Sequence, residues 1–425
     1  MFAPQPPPKS RLGVYRQLSP NAGVHLSPLC FGGGTIGDRW HEKFGVGYMD
    51  KESSFKILDT FFEMGGNFID TANSYQDGRS EEFIGEWAEA RRIRDQVFIA
   101  TKYASNPHLH SDDESIKQKI LYAGTSVKSM HISVEASLKK LRTSYIDLFY
   151  VHYWDYTTSI QEVMHALHAL VMARKVLYLG ISDAPAWVVS QANQYARDHA
   201  LTPFSVYQGQ WNVMDRSFER DIIPMARNQG SIVFSIPLSL YLSPFDPTNK
   251  HPLRFFPCPA AFDTAIIGMA LAPWGVLAGG KIRSDEEEER RRQTGEKGRT
   301  FASPNWERTE SEKKICDALE VVKKEVGAEN ITAVAIAYLL HKTPYVFPIV
   351  GLRKPEQLQQ NIEALEISLT KDHLKFLDGV VPFEAGFPHN LLGDGTEYDP
   401  FTMASGEREK WPVAGVLTGR KLPKP

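Results

Sequence analysis

Four residues of this chain carry side chains suited to proton transfer, and each stands at or just past the end of a short apolar run. Asp70 and Tyr75 follow Asn67-Phe68-Ile69, Lys102 ends the run 97–102, and His152 follows the run 146–151. Tyr75 suits proton donation because a phenol supplies both a proton and a hydrogen bond. With an ordinary pKa of about 10, however, it is a reluctant acid–base group. The positive charge of Lys102 would stabilise the phenolate, and Asp70 would hold Lys102 in place as an ion pair. His152 would orient the oxygen receiving the proton or help relay that proton. Taken singly, each residue has a plainer reading: Asp70 a strand-end cap, Lys102 a surface charge, Tyr75 a core aromatic, His152 a satisfied histidine. Their joint placement is what points to chemistry.

Delivering these side chains to one place requires parallel strands that end on the same side. The sequence alternates accordingly, with strands expected at 26–31, 67–69, 97–102, 146–151, 176–182, 204–210 and 346–350. Between them run helical stripes. Asp50 caps a helix whose Phe55, Leu58 and Phe62 share a face, and Gly65-Gly66 stops it. Ser80 caps a second helix with Phe83, Ile84 and Trp87 inward, and Val127, Met130, Val134, Leu138 and Leu141 form a third. Ile160, Val163, Leu167 and Leu170 form the next, another follows Pro185, and the last are marked by Ile315, Leu319, Val322 and Val326, then by Leu358, Ile362 and Leu365. Short apolar strands alternating with helices imply a covered parallel sheet, and about eight of them imply an α/β fold of the (β/α)8 TIM-barrel type. Active sites of such barrels lie at the C-terminal ends of the strands. Asp70, Tyr75, Lys102, His152, Ser182, Asp183 and Gln208 all comply.

Strand seven has two candidates, 231–238 and 269–274. The second is preferred because Gly275 and Gly279-Gly280-Lys281 follow it, a loop suited to phosphate. The remainder of 231–268 is proline-rich without periodicity and reads as an atypical insertion near strand seven. The organisation expected is a disordered, proline-rich lead over 1–10 and a single barrel domain over 11–425. Its C-terminal tail, 381–425, would drape over the barrel and border the substrate pocket. The charged run within 284–310 reads as a solvated helix and loop, with a lid as the other reading.

Gly32-Gly33-Gly34-Thr35-Ile36-Gly37 formally matches the G-x-G-x-x-G dinucleotide fingerprint. That fingerprint requires the glycines to open a helix at once. Here about a dozen loop-like residues follow, so a loop allowing close approach of a ligand to the backbone is expected instead. A net charge of −3 and a pI near 6.5 give no support for nucleic-acid binding. The three cysteines, Cys30, Cys258 and Cys316, lack metal or disulfide spacing. No long apolar span and no signal-peptide pattern occur, so a cytoplasmic protein without membrane or metal partners is expected.

With these motifs in view, the chain resembles the aldo-keto reductases, and among them the fungal aryl-alcohol dehydrogenase and norsolorinic acid reductase branch. The resemblance runs from about residue 12 to 415, apart from 231–268. Residues 67–75 together with Lys102 and His152 are similar to the family's catalytic tetrad. The resemblance implies a small-molecule carbonyl substrate, an NADP(H) cofactor held without a Rossmann domain, and a place in fungal secondary metabolism. It places Ser182, Asp183 and Gln208 around the nicotinamide carboxamide, whose amide needs both donors and acceptors. Asp183 stands where the wider superfamily usually has Asn, and an ionised Asp accepts from the amide NH₂. Residues 351–361 resemble the adenosine-phosphate segment: Arg353, with Lys354, would pair with the 2′-phosphate, assisted by the following helix N-terminus, and Gln357, Gln360 and Asn361 would face the adenine. Lys281 would contact the pyrophosphate. Trp40, Trp154 and Trp211 are candidates for an apolar substrate wall, and each could equally be barrel packing. A redox-sensing or scaffold protein that binds NADPH with negligible turnover is the alternative. Since the family pattern joins the helix ending at Gly230 directly to a stretch like 269–281, the interval 231–268 is either a genuine insertion or a retained intron, which would compromise folding as a working enzyme. Transcript reads joining Gly230 to Met269 would sink the insertion.

Overall fold

The structure is a computed structural model and describes residues 6–40, 48–111, 113–229, 268–295, 305–399, 403–406 and 415–422. Eight parallel strands form a nearly closed barrel in the order β10-β3-β4-β5-β6-β7-β8-β9. They are β3 (Cys30–Gly32), β4 (Phe68–Asp70), β5 (Phe98–Tyr103), β6 (Ile146–Val151), β7 (Val176–Ser182), β8 (Val206–Gln210), β9 (Ala270–Trp274) and β10 (Ile349–Gly351). The last seam is made just before β10, where Leu271 bridges Val346 in parallel and Phe347 N donates to Leu271 O at 2.8 Å. The second candidate for strand seven is therefore the one in the barrel. The first, 231–238, lies outside the described residues.

Alternation along each strand sorts the side chains into two cores. Ile69, Ile99, Phe149, Leu179, Tyr207, Leu271 and Val350 face outward and are covered by helices. Cys30, Phe68, Phe98, Ala100, Leu148, Tyr150, Val206, Ala270 and Ile349 face inward and fill the barrel. The same inward parity carries Asp70 after Phe68, Lys102 after Ala100, Ser182 after Gly180, and Gln208 after Val206. The interior is thus apolar below and polar at its C-terminal mouth.

An antiparallel hairpin, β1 (Arg16–Ser19) and β2 (Ala22–Leu26), closes the other end, and its Leu18, Ala22 and Leu26 join the inner core. The expected strand 26–31 is divided in the structure. Leu26 ends the hairpin, Ser27 turns the chain by donating its hydroxyl to Leu29 O at 2.9 Å, and only Cys30–Gly32 pairs in the barrel. Ser10, at the end of the proline-rich lead, is buried and donates to Met64 O at 2.7 Å.

The covering helices are α1 (Lys51–Glu63), α2 (Arg79–Arg91), α3 (Val127–Lys140), α4 (Ile160–Met172), α5 (Ala186–Asp198), α6 (Phe218–Asn228), α7 (Asp285–Thr294), α8 (Glu310–Val326), α9 (Ile331–Lys342), α10 (Pro355–Ile362) and α11 (Lys371–Val380). Asp50 caps α1, its carboxylate accepting from Ser53 N at 2.8 Å. The buried face of α1 is Ser54, Ile57, Leu58 and Phe61, so Phe55 and Phe62 flank it. Gly78, not Ser80, caps α2, because Ser80 is buried and bonded to Gly33 O and Thr71. The charged helix α7 caps itself at Ser284. Residues 296–304, on which the lid reading depends, lie outside the described residues.

The interval 230–267 also lies outside them. The flanking chain leaves at the C-terminus of α6 and returns beside it, with Met269 N donating to Ala226 O at 2.9 Å. This junction precedes β9 and so lies at the barrel end opposite the polar mouth. Residues 384–394 of the tail run along α6, where Arg220 donates to Ala385 O and Glu384 O and Arg227 pairs with Asp394.

Gly180 makes room for the largest inward side chain near the mouth. A Cβ at this position would lie 2.5 Å from the Tyr150 ring, which is fully buried and opposite it in the register. Gly180→Ala is expected to lower stability by about 1–3 kcal/mol through overpacking, read as a lower urea midpoint. An unchanged midpoint would show that the ring repacks without strain.

Candidate active site

Lys102 is the centre of the polar mouth. Its ammonium donates to Asp70 Oδ2 at 2.6 Å, Thr71 O at 2.7 Å and Tyr75 Oη at 3.2 Å, which uses its three donors. Neither ion is solvated: Lys102 is 0% exposed and Asp70 2%. The other Asp70 oxygen accepts from Gln208 Nε2 at 2.9 Å. A buried charge pair is tolerable only when its remaining hydrogen-bonding capacity is met, and here it is. Burial opposes the charge on Lys102, but Asp70, then Tyr75, more than offset it, so the lysine pKa lies above its usual value. Burial likewise pushes the Asp70 carboxyl up, opposed by Lys102 and Gln208.

Tyr75 stands on a turn that three hydrogen bonds of Asn73 fix. Asn73 N donates to Lys102 O at 3.1 Å, and Asn73 Nδ2 reaches Ser105 O and Ser133 Oγ. Gln76 and Asp77 then adopt positive φ of 54° and 55°, followed by Gly78 at 94°. Such backbone strain persists only where the surroundings hold it. The holding group is the fully buried Gln76 amide, which accepts from Arg39 N and Trp40 N and donates to Gly34 O. The glycine loop is thereby clipped beside Tyr75, and Trp40 lies edge-on to Tyr75 with ring centroids 6.0 Å apart.

The net effect of the site on Tyr75 differs from the expected one. Burial raises its pKa above the usual 10, and the Lys102 charge does not overcome this. Tyr75 therefore stays protonated, the state a proton donor needs. His152 lies on its other side, ring centroids 5.8 Å apart, with Nδ1 hydrogen-bonded to Ser105 Oγ at 3.0 Å. With the ring proton on Nε2 the serine hydroxyl donates to Nδ1, and with it on Nδ1 the hydroxyl accepts. Burial, then the Lys102 charge, push the His152 pKa down to about 3, so the ring is neutral near pH 7 and serves as a hydrogen-bond donor.

Ser182 and Gln208 are paired directly in the β7–β8 register. Ser182 is buried and its hydroxyl has no hydrogen-bond partner among the described residues. An orphaned hydroxyl inside the mouth fits a primary amide such as the nicotinamide carboxamide. Asp183 follows with φ of 42°, and its carboxylate reaches across β8 to accept from Trp274 Nε1 at 3.2 Å. Arg353 and Lys354 follow β10 and stand exposed at the same barrel end. This segment adjoins the glycine loop, because Thr35 Oγ1 donates to Leu352 O at 2.9 Å. Gln357 caps α10 by accepting from Arg353 N and Lys354 N. On the same helix Gln360 is exposed and Asn361 is buried.

Lys281 is engaged within the protein. Its ammonium already donates to Glu312 at 2.9 Å and to Glu307 O at 2.6 Å, so it is held against the start of α8. Two of the tryptophans take the packing reading. Trp211 is fully buried and stacks on Phe218, and Trp154 packs in the helix-side core, so both are structural. Sequence reading had no signal for Ser105, Gln76 or Trp274, whose partners are distant in the chain. Tyr150 reads as a core aromatic, yet its ring lies 5.8 Å from the Lys102 ammonium.

The folded His152 pKa, about 3, lies below the unfolded value of about 6.5. Unfolding therefore takes up a proton between these values. The stability due to the neutral ring is complete above pH 6.5 and is lost as pH falls towards 3. His152→Gln should thus show a shallower acid loss of stability than the parent in urea titrations across that window; parallel acid limbs would refute the assignment.

Comparison with known proteins agrees with this geometry. The model of the aldo/keto reductase family matches residues 28–244 and 260–382. The chain is 52% identical over 422 residues to an aryl-alcohol dehydrogenase [NADP(+)] of Phanerodontia chrysosporium, covering 99% of this chain and 100% of the relative. It is 45% identical to norsolorinic acid reductase B of Dothistroma septosporum, over 91% and 86% of the two chains. It is 44% identical to the aldo-keto reductase ausK of Aspergillus calidoustus, over 92% and 88%. The chain belongs to the aldo/keto reductase family.

Proposed function

We propose that this protein is an NADPH-dependent reductase of aromatic aldehydes or ketones, reversible towards aryl alcohols. The observation that carries the reading is the single lysine that bonds both the Tyr75 phenol and the Asp70 carboxylate at the barrel mouth. The dinucleotide supplies the hydride. Tyr75 gives the carbonyl oxygen its proton, and Lys102 steadies the phenolate that remains. Asp70 keeps Lys102 charged and pointed at the phenol. His152, neutral and held through Nδ1, directs its Nε2–H at the same oxygen, which is orientation by hydrogen bond and not acid catalysis.

Ser182 and Gln208 hold the carboxamide in this reading, with Asp183 as an acceptor for its NH₂. Arg353 and Lys354 meet the 2′-phosphate, with Gln360 and Asn361 on the adenine side. Lys281 would reach the pyrophosphate only by leaving Glu312, which makes it the weakest member of the set. The edge of Trp40 against Tyr75 offers an apolar wall to an aryl group beside the reacting carbonyl. The relatives named for aryl alcohols and for norsolorinic acid support an aromatic substrate.

NADPH binding by fluorescence titration, followed by cofactor oxidation with a panel of aryl aldehydes and ketones, tests the reading directly. Binding with turnover supports it, and binding without turnover across the panel favours a sensor. Tyr75→Phe should lose most turnover, about 10²-fold or more, while binding NADPH nearly as the parent does. Turnover equal to the parent would remove Tyr75 from the proton-donor role.

A further inference from the structure

Accepting from the carboxamide NH₂ needs an oxygen but not a charge, and the charge of Asp183 is so far unexplained. Asp70 is consumed by Lys102 and Gln208, but Asp183 has no ion pair among the described residues. Its carboxylate accepts from the Trp274 indole N–H at 3.2 Å and is also stabilised by the adjacent Ser182 side chain. The position is nevertheless built with care. Asp183 N donates to Gln208 O at 3.1 Å, and the left-handed φ of 42° is tolerated better by Asp or Asn than by most side chains. Tying Oδ1 to Trp274, two strands away, lays the carboxylate across the mouth above Gln208 and next to the orphaned Ser182 hydroxyl. It is near enough to Tyr75 and Lys102 for each to feel its charge.

On the reading proposed above, the group that settles against Ser182 and Asp183 is a nicotinamide ring. That ring is neutral when reduced and carries one positive charge when oxidised. A fixed anion beside it cannot act equally on both forms. We propose that the Asp183 carboxylate sets the redox preference of the bound dinucleotide, by holding the oxidised, cationic ring more tightly than the reduced, neutral one. Asparagine would keep the acceptor oxygen and the backbone geometry but not the charge. Asp183 is thus a discriminating residue, separate from the proton-transfer group, that favours departure of hydride from the reduced cofactor and retards release of the oxidised one.

The dissociation constants of NADPH and NADP⁺, measured without substrate by quenching of tryptophan fluorescence, test this for the parent, Asp183→Asn and Ser182→Ala. In Asp183→Asn the preference for NADP⁺ over NADPH should fall on the order of tenfold, as expected for one partly screened unit charge a few ångströms from another. Ser182→Ala removes a neutral hydrogen bond and should weaken both nucleotides alike. An unchanged ratio in Asp183→Asn, with both nucleotides still bound, overturns the proposal. So does an equal shift of the ratio in Ser182→Ala, because charge would then not be the cause. If the parent binds neither nucleotide, the reductase reading itself falls and takes this inference with it.

Discussion

The structure depends on one buried ion pair. Lys102 and Asp70 are both removed from water at the top of a barrel whose interior is otherwise apolar, and neither would remain charged there alone. Each is satisfied by groups from a different strand: Thr71 and Tyr75 beyond β4 for the lysine, Gln208 of β8 for the carboxylate. The pair therefore ties β4, β5 and β8 together at the mouth. Loss of one partner would leave a buried charge with nothing opposite it, which costs about 3–5 kcal/mol in comparable cases.

That constraint explains how the phenol is handled. A lysine that spends its donors on Asp70, Thr71 and Tyr75 has a fixed position, and Tyr75 must come to it. The strained turn at Gln76–Gly78 and the Gln76 amide bring the phenol there. Burial keeps the phenol protonated in the free protein. Lys102 does lower the phenol's pKa, as its charge and contact imply, but burial raises it by more.

Much of the barrel was legible because buried parallel strands leave near-continuous apolar runs and their polar C-terminal ends stand out. Asp70, Lys102, Ser182 and Gln208 share the inward parity of their strands, and that parity can be read from neighbours such as Phe68 and Val206. What could not be read has local reasons. Helix α9 is buried on all sides, so Ile331–Leu340 shows no stripe to mark it. The hairpin before β3 was hidden because Leu26 and Cys30–Phe31 form one apolar stretch with the turn inside it. The offset of one residue in the α1 face arose because Ser54, not Phe55, packs inward. Lys281 looked available beside two glycines, and only tertiary packing brings Glu312 to it.

The hairpin that stoppers the barrel has a practical side. Residues 11–16 and the tail segment 415–422 line a common cavity at that end, together with Pro28 and Leu365. Both described ends of the chain therefore emerge on the face turned away from Lys102. A partner that bound across these two segments would sit on the face opposite Lys102 and leave the mouth uncovered.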